Sequence, residues 1–372
     1  MSAHLKQDEP VTSNRLDGMK QGIVGQPLSR VDGLAKVTGT APYAAEYKID
    51  NVAEGVLVTA PITRGEVTSI DKDSVLSMPG VLAVVDDERL TTRAAQGTAN
   101  EAPKQDPATV CYWGQPIAVV VAETFEQARD AAKHLKVEYR VHEGAPLDPH
   151  QVAPEEQEDE TVNQGDLDAA MARAAHTVDV EIATEGHASA AMEPHAAIAE
   201  WRDDKLTVHA SLQMPNYNIA ELADSLGIKE SDIRLVSRYV GGGFGSKLGI
   251  SEETVAAAIA ARELGRPVRV VMSRQQVFQC IMRRSETTQK LRLASDEEGK
   301  LDGFAHHALV SNLPGEEFAE PVLQSSHFLY GGENRQLKLE VARIHRMTAG
   351  SVRAPGEAVG MPALEVAMDM LA

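Results

Sequence analysis

The stretch Val240-Gly-Gly-Gly-Phe-Gly-Ser-Lys247 is where this chain could do chemistry. Three consecutive glycines let the backbone take positive φ and leave main-chain N–H groups open to a ligand. The stretch follows an apolar run, Ile233 to Val240, and precedes a helix-like segment, Ser251 to Leu264. A helix N-terminus there would add a partial positive charge suited to an anion such as a phosphate. The familiar phosphate loops do not fit. A Walker A loop needs Gly-Lys-Ser/Thr, but here Lys247 follows Ser246 and precedes Leu248. A dinucleotide fingerprint needs Gly-x-Gly-x-x-Gly. From Gly241 its last position is Ser246, and from Gly243 it is Leu248. Two readings remain, a cradle for some other ligand or a glycine-rich turn with none. Bulky Phe244 is a strange choice for a simple turn, and it favours the cradle.

Composition limits what such a cradle could serve. At 372 residues the chain can hold two or three domains with a sizeable core. A net charge of −19 argues against a nucleic-acid partner, whose phosphates it would repel. No apolar run approaches the roughly 20 residues of a membrane span. Met1 to Arg30 lacks the basic-then-apolar pattern of a secretory signal, so a cytoplasmic chain is the default expectation. Export to the periplasm on a partner's signal is the alternative. Cys111 and Cys280 are too few to hold an iron–sulfur cluster or a zinc ribbon, and they read as packed core thiols.

The elements that must carry the loop follow from periodicity. Gly55–Ile62, Gly80–Val85 and Pro116–Ala122 read as strands, Phe125–Leu135 as a helix capped by Thr124, and Val137–Val141 as a further strand. Strand, helix, strand at this spacing suggests a βαβ unit. Residues 148–165 hold the acidic run Pro154-Glu-Glu-Gln-Glu-Asp-Glu160, which repels itself and reads as a solvated linker. Beyond it come a helix at Asp166–Ala175, a strand at Thr177–Thr184 and a hairpin of Ala196–Trp201 with Leu206–Leu212. A helix at Tyr217–Leu226 stops at Gly227. Ser251 is the expected N-cap of the helix after the loop, with Glu252 and Glu253 complementing its dipole. Val268–Met272 reads as a strand, and Leu291–Ser295 with Leu301–Val310 as a hairpin. Gly356–Ala372 reads as a helix with Val359, Ala363, Val366, Ala367 and Met370 on one apolar face. It stops without a capping residue, which suggests that the polypeptide continues.

Six segments together resemble one family. Arg30–Tyr43, Tyr112–Thr124, Met192-Glu-Pro-His195, Ser211-Leu-Gln213, Gly241–Lys247 and Ser351-Val-Arg-Ala-Pro-Gly-Glu357 follow the order of blocks in the molybdenum-cofactor-binding large subunit of the xanthine oxidase family. Arg353-Ala-Pro-Gly356 and Leu248 look like its aromatic aldehyde oxidoreductase branch, since purine-oxidising members carry Glu where Leu248 stands. The resemblance implies an α+β chain: a lead-in over 1–30, an α/β hammerhead domain over 31–147, the linker, and the first part of a mixed α/β cofactor-binding domain over 166–372. It implies Gln213, Gly242, Gly243, Phe244 and Gly245 at the cofactor, and Arg353 orienting substrate. Gln213 satisfying only backbone groups, or Arg353 in a surface ion pair, are the bland alternatives. His187 and His195 have no ligand role in the family and read as packed or capping residues.

The implied reaction oxidises an aldehyde to a carboxylic acid with oxygen from water. Electrons leave through a [2Fe-2S] subunit and an FAD subunit. The cofactor is molybdenum-molybdopterin, expected in its cytosine dinucleotide form. Family members are roughly twice as long, and their catalytic glutamate has no counterpart here. The resemblance therefore implies a missing C-terminal half and little activity of the chain alone. A xanthine or N-heterocycle dehydrogenase subunit, or an inactive truncated fragment, are the rival readings.

Overall fold

Val119, Val120, Val121 and Ala122 are fully buried, because their strand, Pro116–Ala122, runs inside a seven-stranded sheet. The sheet's order is Ile233–Val236, Lys205–Ala210, Ala196–Arg202, Val268–Val271, Ala53–Thr59, Pro116–Ala122, Val81–Val85. Ala53–Thr59 pairs parallel with Val268–Val271, Ala53 opposite Val268, so residues far apart in sequence share one layer. The computed structural model describes Gly22, residues 26–92, Asp106 and residues 108–372. Most of the expected 1–30 lead-in thus lies outside the described residues. Contacts divide the chain into Met1–Ala41, which holds the short helix Gly33–Val37, and Pro42–Ala372, which holds all that follows.

Helix Glu252–Leu264 is alanine-rich and buried almost throughout, packing on the seven-stranded sheet. Small side chains allow that close approach, and no polar face is needed where no face meets water. Helix Pro215–Leu226 ends, as expected, at Gly227 with φ +68°. A second sheet is built on strand Leu301–Asn312, with Thr287–Ser295 antiparallel on one side and Asn334–Arg343 parallel on the other. The hairpin expected there is real and longer at both ends. Helix Gly360–Leu371 covers this sheet.

Several expectations need correction. Only Ile233–Val236 of the run to Val240 is strand; it is an edge strand, and the chain then leaves the sheet for the loop. The expected βαβ unit is not one. Its helix, Phe125–His134, does carry the Thr124–Gln127 capping box, but its flanking strands lie in different sheets. Lys136–Val141 pairs antiparallel with Gly65–Asp71 in a three-stranded sheet. The acidic segment is not simply a solvated linker: Glu155–Glu156 and Val162–Gln164 pair with Asn334–Arg343. Cations relieve its repulsion, since Glu155 meets Arg343 at 2.9 Å and Glu156 meets Lys338 at 3.4 Å. On the C-terminal helix the buried stripe is Gly360, Ala363, Leu364 and Ala367, while Val366 and Met370 are exposed. Cys280 is buried as expected, but Cys111 is only half-buried.

The helix after the loop begins where expected, but its first turn is buried. Ser251 occupies the N-cap but makes no capping hydrogen bond, and Glu252 and Glu253 are buried in the first turn. Four residues separate Lys247 from Ser251's helix-forming successor, enough for the helix to start inside the core with its own carboxylates. Burial pushes Glu252 up to about 8 from the ordinary 4.5. A carboxyl raised on folding binds its proton more tightly in the folded state, so its penalty grows as pH climbs from the unfolded value through the folded one. Glu252 is expected to cost about 4 kcal/mol more at pH 8 than at pH 4.5. Urea denaturation of Glu252→Gln should therefore show a shallower loss of stability between those pH values than the parent chain. Parallel pH profiles would refute this.

Candidate functional site

The glycine loop is clamped at both ends by one buried ion pair. Lys247 Nζ donates to Glu193 Oε2, to the Glu193 carbonyl and to Ser211 Oγ, each at 3.0 Å. Glu193 Oε2 also accepts from Ser211 Oγ at 2.5 Å and from the Gly241 N–H at 2.6 Å. The Lys247 side chain is completely buried and that of Glu193 is 10% exposed. Burial alone would raise the Glu193 carboxyl, but the Ser211 and Gly241 hydrogen bonds and the Lys247 charge outweigh it and hold the carboxyl below its ordinary value. Burial pulls the Lys247 ammonium below its ordinary value, with Glu193 opposing.

Gln213 is fastened to the same loop. Its N–H donates to the Lys247 carbonyl at 2.7 Å, and its Oε1 accepts from the N–H groups of Gly245 at 3.0 Å and Lys247 at 3.3 Å. Two of the glycines exist for this packing. A Cβ on Gly243 would lie 2.2 Å from Gln213 Oε1. One on Gly245, where φ is +103°, would lie 2.0 Å from the Ser351 carbonyl. Phe244 has φ +53° and a ring 44% exposed. A non-glycine residue in that region is uncommon, and here its carbonyl is held by the Arg353 N–H at 2.8 Å.

All the sequence-derived site residues therefore meet at one place: Gln213, Gly242, Gly243, Phe244, Gly245 and Arg353. The bland alternative for Gln213 is half true, because its oxygen does satisfy backbone groups. That same anchoring leaves its Nε2 donors without an acceptor among the described residues. The ion-pair alternative for Arg353 fails, since among the described residues its exposed guanidinium has no partner. The N–H groups of Gly242, Gly243 and Phe244 likewise meet no acceptor among the described residues. Successive unpaired backbone N–H groups form an anion-binding concavity. An amide, a run of N–H groups and a guanidinium form a donor set suited to an oxygen-rich, negatively charged group.

Sequence reasoning missed the supporting shell. Glu193, Ser211 and Lys247 stood inside the recognised blocks without a role. Arg284 lay outside every block, although its Nη2 donates to the carbonyls of Val352 at 2.7 Å, Arg353 at 2.5 Å and Ala354 at 3.1 Å. Glu320 faces it at 3.2 Å and accepts from the Gly356 N–H at 2.7 Å. A buried arginine beside a buried glutamate would have been a signal, but nothing local in sequence pairs residues 284 and 320.

His195 is buried with Nε2 3.0 Å from the Ser246 carbonyl, and burial lowers its proton affinity. His187 bonds through its backbone to Arg284. No cluster of three or more His, Cys, Asp or Glu suited to a metal ion occurs among the described residues. A cleft of about 370 Å³ lies beside the loop, lined by Tyr43, Met192, Glu193, Pro194 and Gly241 among others. A larger cavity, about 580 Å³ between Arg89, Trp201 and Arg262, shares no residue with the site.

Comparison with known proteins identifies the family. Residues 123–372 match the family model of the molybdopterin cofactor-binding domain, and residues 38–143 that of the aldehyde oxidase and xanthine dehydrogenase a/b hammerhead domain. The aldehyde oxidoreductase molybdenum-binding subunit PaoC of Escherichia coli is 39% identical over 99% of this chain and 50% of its own length. The putative xanthine dehydrogenase molybdenum-binding subunit XdhA of the same organism is 29% identical over 74% of this chain and 40% of its own length. The solved structure of aldehyde oxidoreductase from Desulfovibrio gigas superposes with a TM-score of 0.80 at 26% identity, covering 92% of this chain and 41% of that one. The chain thus spans about half the length of the curated relatives it matches. With two family models covering all of residues 38–372, and the same architecture in a solved relative, the chain belongs to the aldehyde oxidase and xanthine dehydrogenase family and carries its molybdopterin cofactor-binding domain.

Proposed function

We propose that this chain is the N-terminal half of the molybdenum-binding subunit of an aldehyde oxidoreductase. The observation that carries the reading is the convergence on one loop of donors that meet no acceptor among the described residues: Gln213 Nε2, the Gly242–Phe244 N–H groups and the Arg353 guanidinium. When bound, the cofactor supplies the oxidising centre that takes two electrons from the substrate. The chain's own residues do the rest of what is read here. The Gln213 amide and the loop N–H groups hold the oxygen-rich cofactor. The half-exposed Phe244 ring presents an apolar face beside it. Arg353 orients the aldehyde and stabilises the negative charge that develops on its oxygen.

Leu248 supports an aldehyde over a purine, because an aliphatic side chain cannot hydrogen-bond a heterocycle. The higher identity to PaoC than to XdhA points the same way. Electrons leave to a [2Fe-2S] subunit and an FAD subunit; the chain's two cysteines could not ligate such a cluster. The nucleotide tail of the pterin is read as cytosine dinucleotide. The catalytic base, a glutamate, and the rest of the pocket belong to the other half of the subunit. Glu357 of the Arg353 block is not that base. The assembly is read as cytoplasmic, or exported on a partner's signal, and no helix among the described residues is long and apolar enough to cross a membrane.

Elemental analysis tests this directly. The 372-residue chain purified alone should carry almost no molybdenum and turn over no aldehyde. Co-expressed with the other half and its partner subunits, it should carry about one molybdenum per chain, as binding to a completed pocket requires. A ratio near one in the chain alone would overturn the incomplete pocket.

A further inference from the structure

Three recognised segments meet at a point that the proposed chemistry does not touch. Glu193, Ser211 and Lys247 come together in the protein interior, although Glu193 and Lys247 are 54 positions apart and Ser211 and Lys247 are 36 apart. We propose that these three are the positioning residues of the cofactor cradle, an inference that rests on the reading of the loop given above. The Glu193 carboxylate grips the start of the loop at the Gly241 N–H, and Lys247 is its end. Between those two points lie Gly242, Gly243 and Phe244, whose N–H groups meet no acceptor among the described residues. Lys247 also holds Gln213 through its own carbonyl and N–H, and Ser211 stands two residues before Gln213. One buried contact therefore sets the spacing between the loop donors and the Gln213 amide.

Three arguments support a positioning role over a merely stabilising one. A buried ion pair contributes little net stability beside an apolar pair of the same volume, so what it supplies is geometry. Every donor of the ammonium is used, on the Glu193 carboxylate, the Glu193 carbonyl and Ser211 Oγ, so the contact is held at three points. Finally, fixed donors stabilise charge better than mobile ones because they need no reorganisation when charge develops.

The test uses Lys247→Met and Ser211→Ala in the assembled complex, read by hydrogen–deuterium exchange, molybdenum content and the split between kcat and KM. Lys247→Met removes the charge, and Ser211→Ala removes a single hydroxyl from the same contact. In both variants the amides of residues 241–247 are expected to exchange about tenfold faster or more, while those of strand Pro116–Ala122 keep their protection. Molybdenum content should fall and kcat with it, because molecules without the cofactor do not turn over, while those that retain it should show a KM within about twofold of the parent. If Lys247→Met unfolds, raising exchange in Pro116–Ala122 too, Ser211→Ala alone decides. Unchanged loop exchange in that variant overturns the clamp. Faster loop exchange with full molybdenum content and unaltered kcat overturns the placement of the cofactor at this loop, and the positioning role with it.

Discussion

Replacing Arg353 by methionine in the assembled enzyme is expected to lower kcat/KM for an aromatic aldehyde by about a hundredfold or more. The expectation follows from what the guanidinium lacks. It is exposed and has no partner among the described residues, while its backbone is fixed to the Phe244 carbonyl at 2.8 Å. A charged side chain on an anchored backbone, beside a ring that can lie against a substrate, is placed to act on a ligand and not on the fold. Methionine keeps most of the aliphatic stem and removes the charge. Arg353→Lys keeps a point charge without the planar fork and should fall between the two. No side-chain interaction among the described residues is lost, so stability should change by less than about 0.5 kcal/mol. An Arg353→Met enzyme with parental kcat/KM would remove Arg353 from the site.

Much of this site was legible because its residues sit in compact local blocks. Glycines between an apolar run and a helix announce a backbone that must bend sharply, and Gly245 at φ +103° bears that out. Gln213, Phe244 and Arg353 were each reached through a short motif, and the structure brings all three together. The supporting contacts were not legible, for a physical reason. The pairing of Glu193 with Lys247, or of Arg284 with Glu320, depends on which strands share a sheet, and no local periodicity encodes that. The parallel pairing of Ala53–Thr59 with Val268–Val271 shows the scale of the difficulty. Glu252 illustrates the opposite failure. Its place in the first turn of a helix was read correctly, but its burial was not, because an acidic first turn on the surface and one in the core have the same sequence. The C-terminal helix shows a smaller error: of its expected apolar face, Val359, Ala363 and Ala367 are buried, but Val366 and Met370 are exposed and Leu364 takes a buried place in the stripe.

Arg284→Met should be the most damaging single change away from the loop itself. The side chains of Arg284 and Glu320 are 5% and 0% exposed, so removing the arginine strands a buried carboxylate. It also removes the donor shared by the carbonyls of Val352, Arg353 and Ala354. Breaking one side of such a pair costs about 3–5 kcal/mol. Glu320 makes the loss depend on pH. Burial already holds its carboxyl above the ordinary value, against the Gly356 hydrogen bond and the Arg284 charge. Without Arg284 it rises further. A carboxyl raised in the folded state is free of penalty below the unfolded value and increasingly penalised as pH climbs through the folded one. The deficit of Arg284→Met should therefore be smallest near pH 5 and largest near pH 8, by urea denaturation at both. Adding Glu320→Gln removes the stranded charge and should recover much of the stability at pH 8. It should not recover kcat/KM, because the backbone that presents Arg353 still lacks its donor. A double variant restored in both stability and turnover would mean that Arg284 serves the fold alone, and a single variant with a flat pH profile would mean that Glu320 is not the group it neutralises.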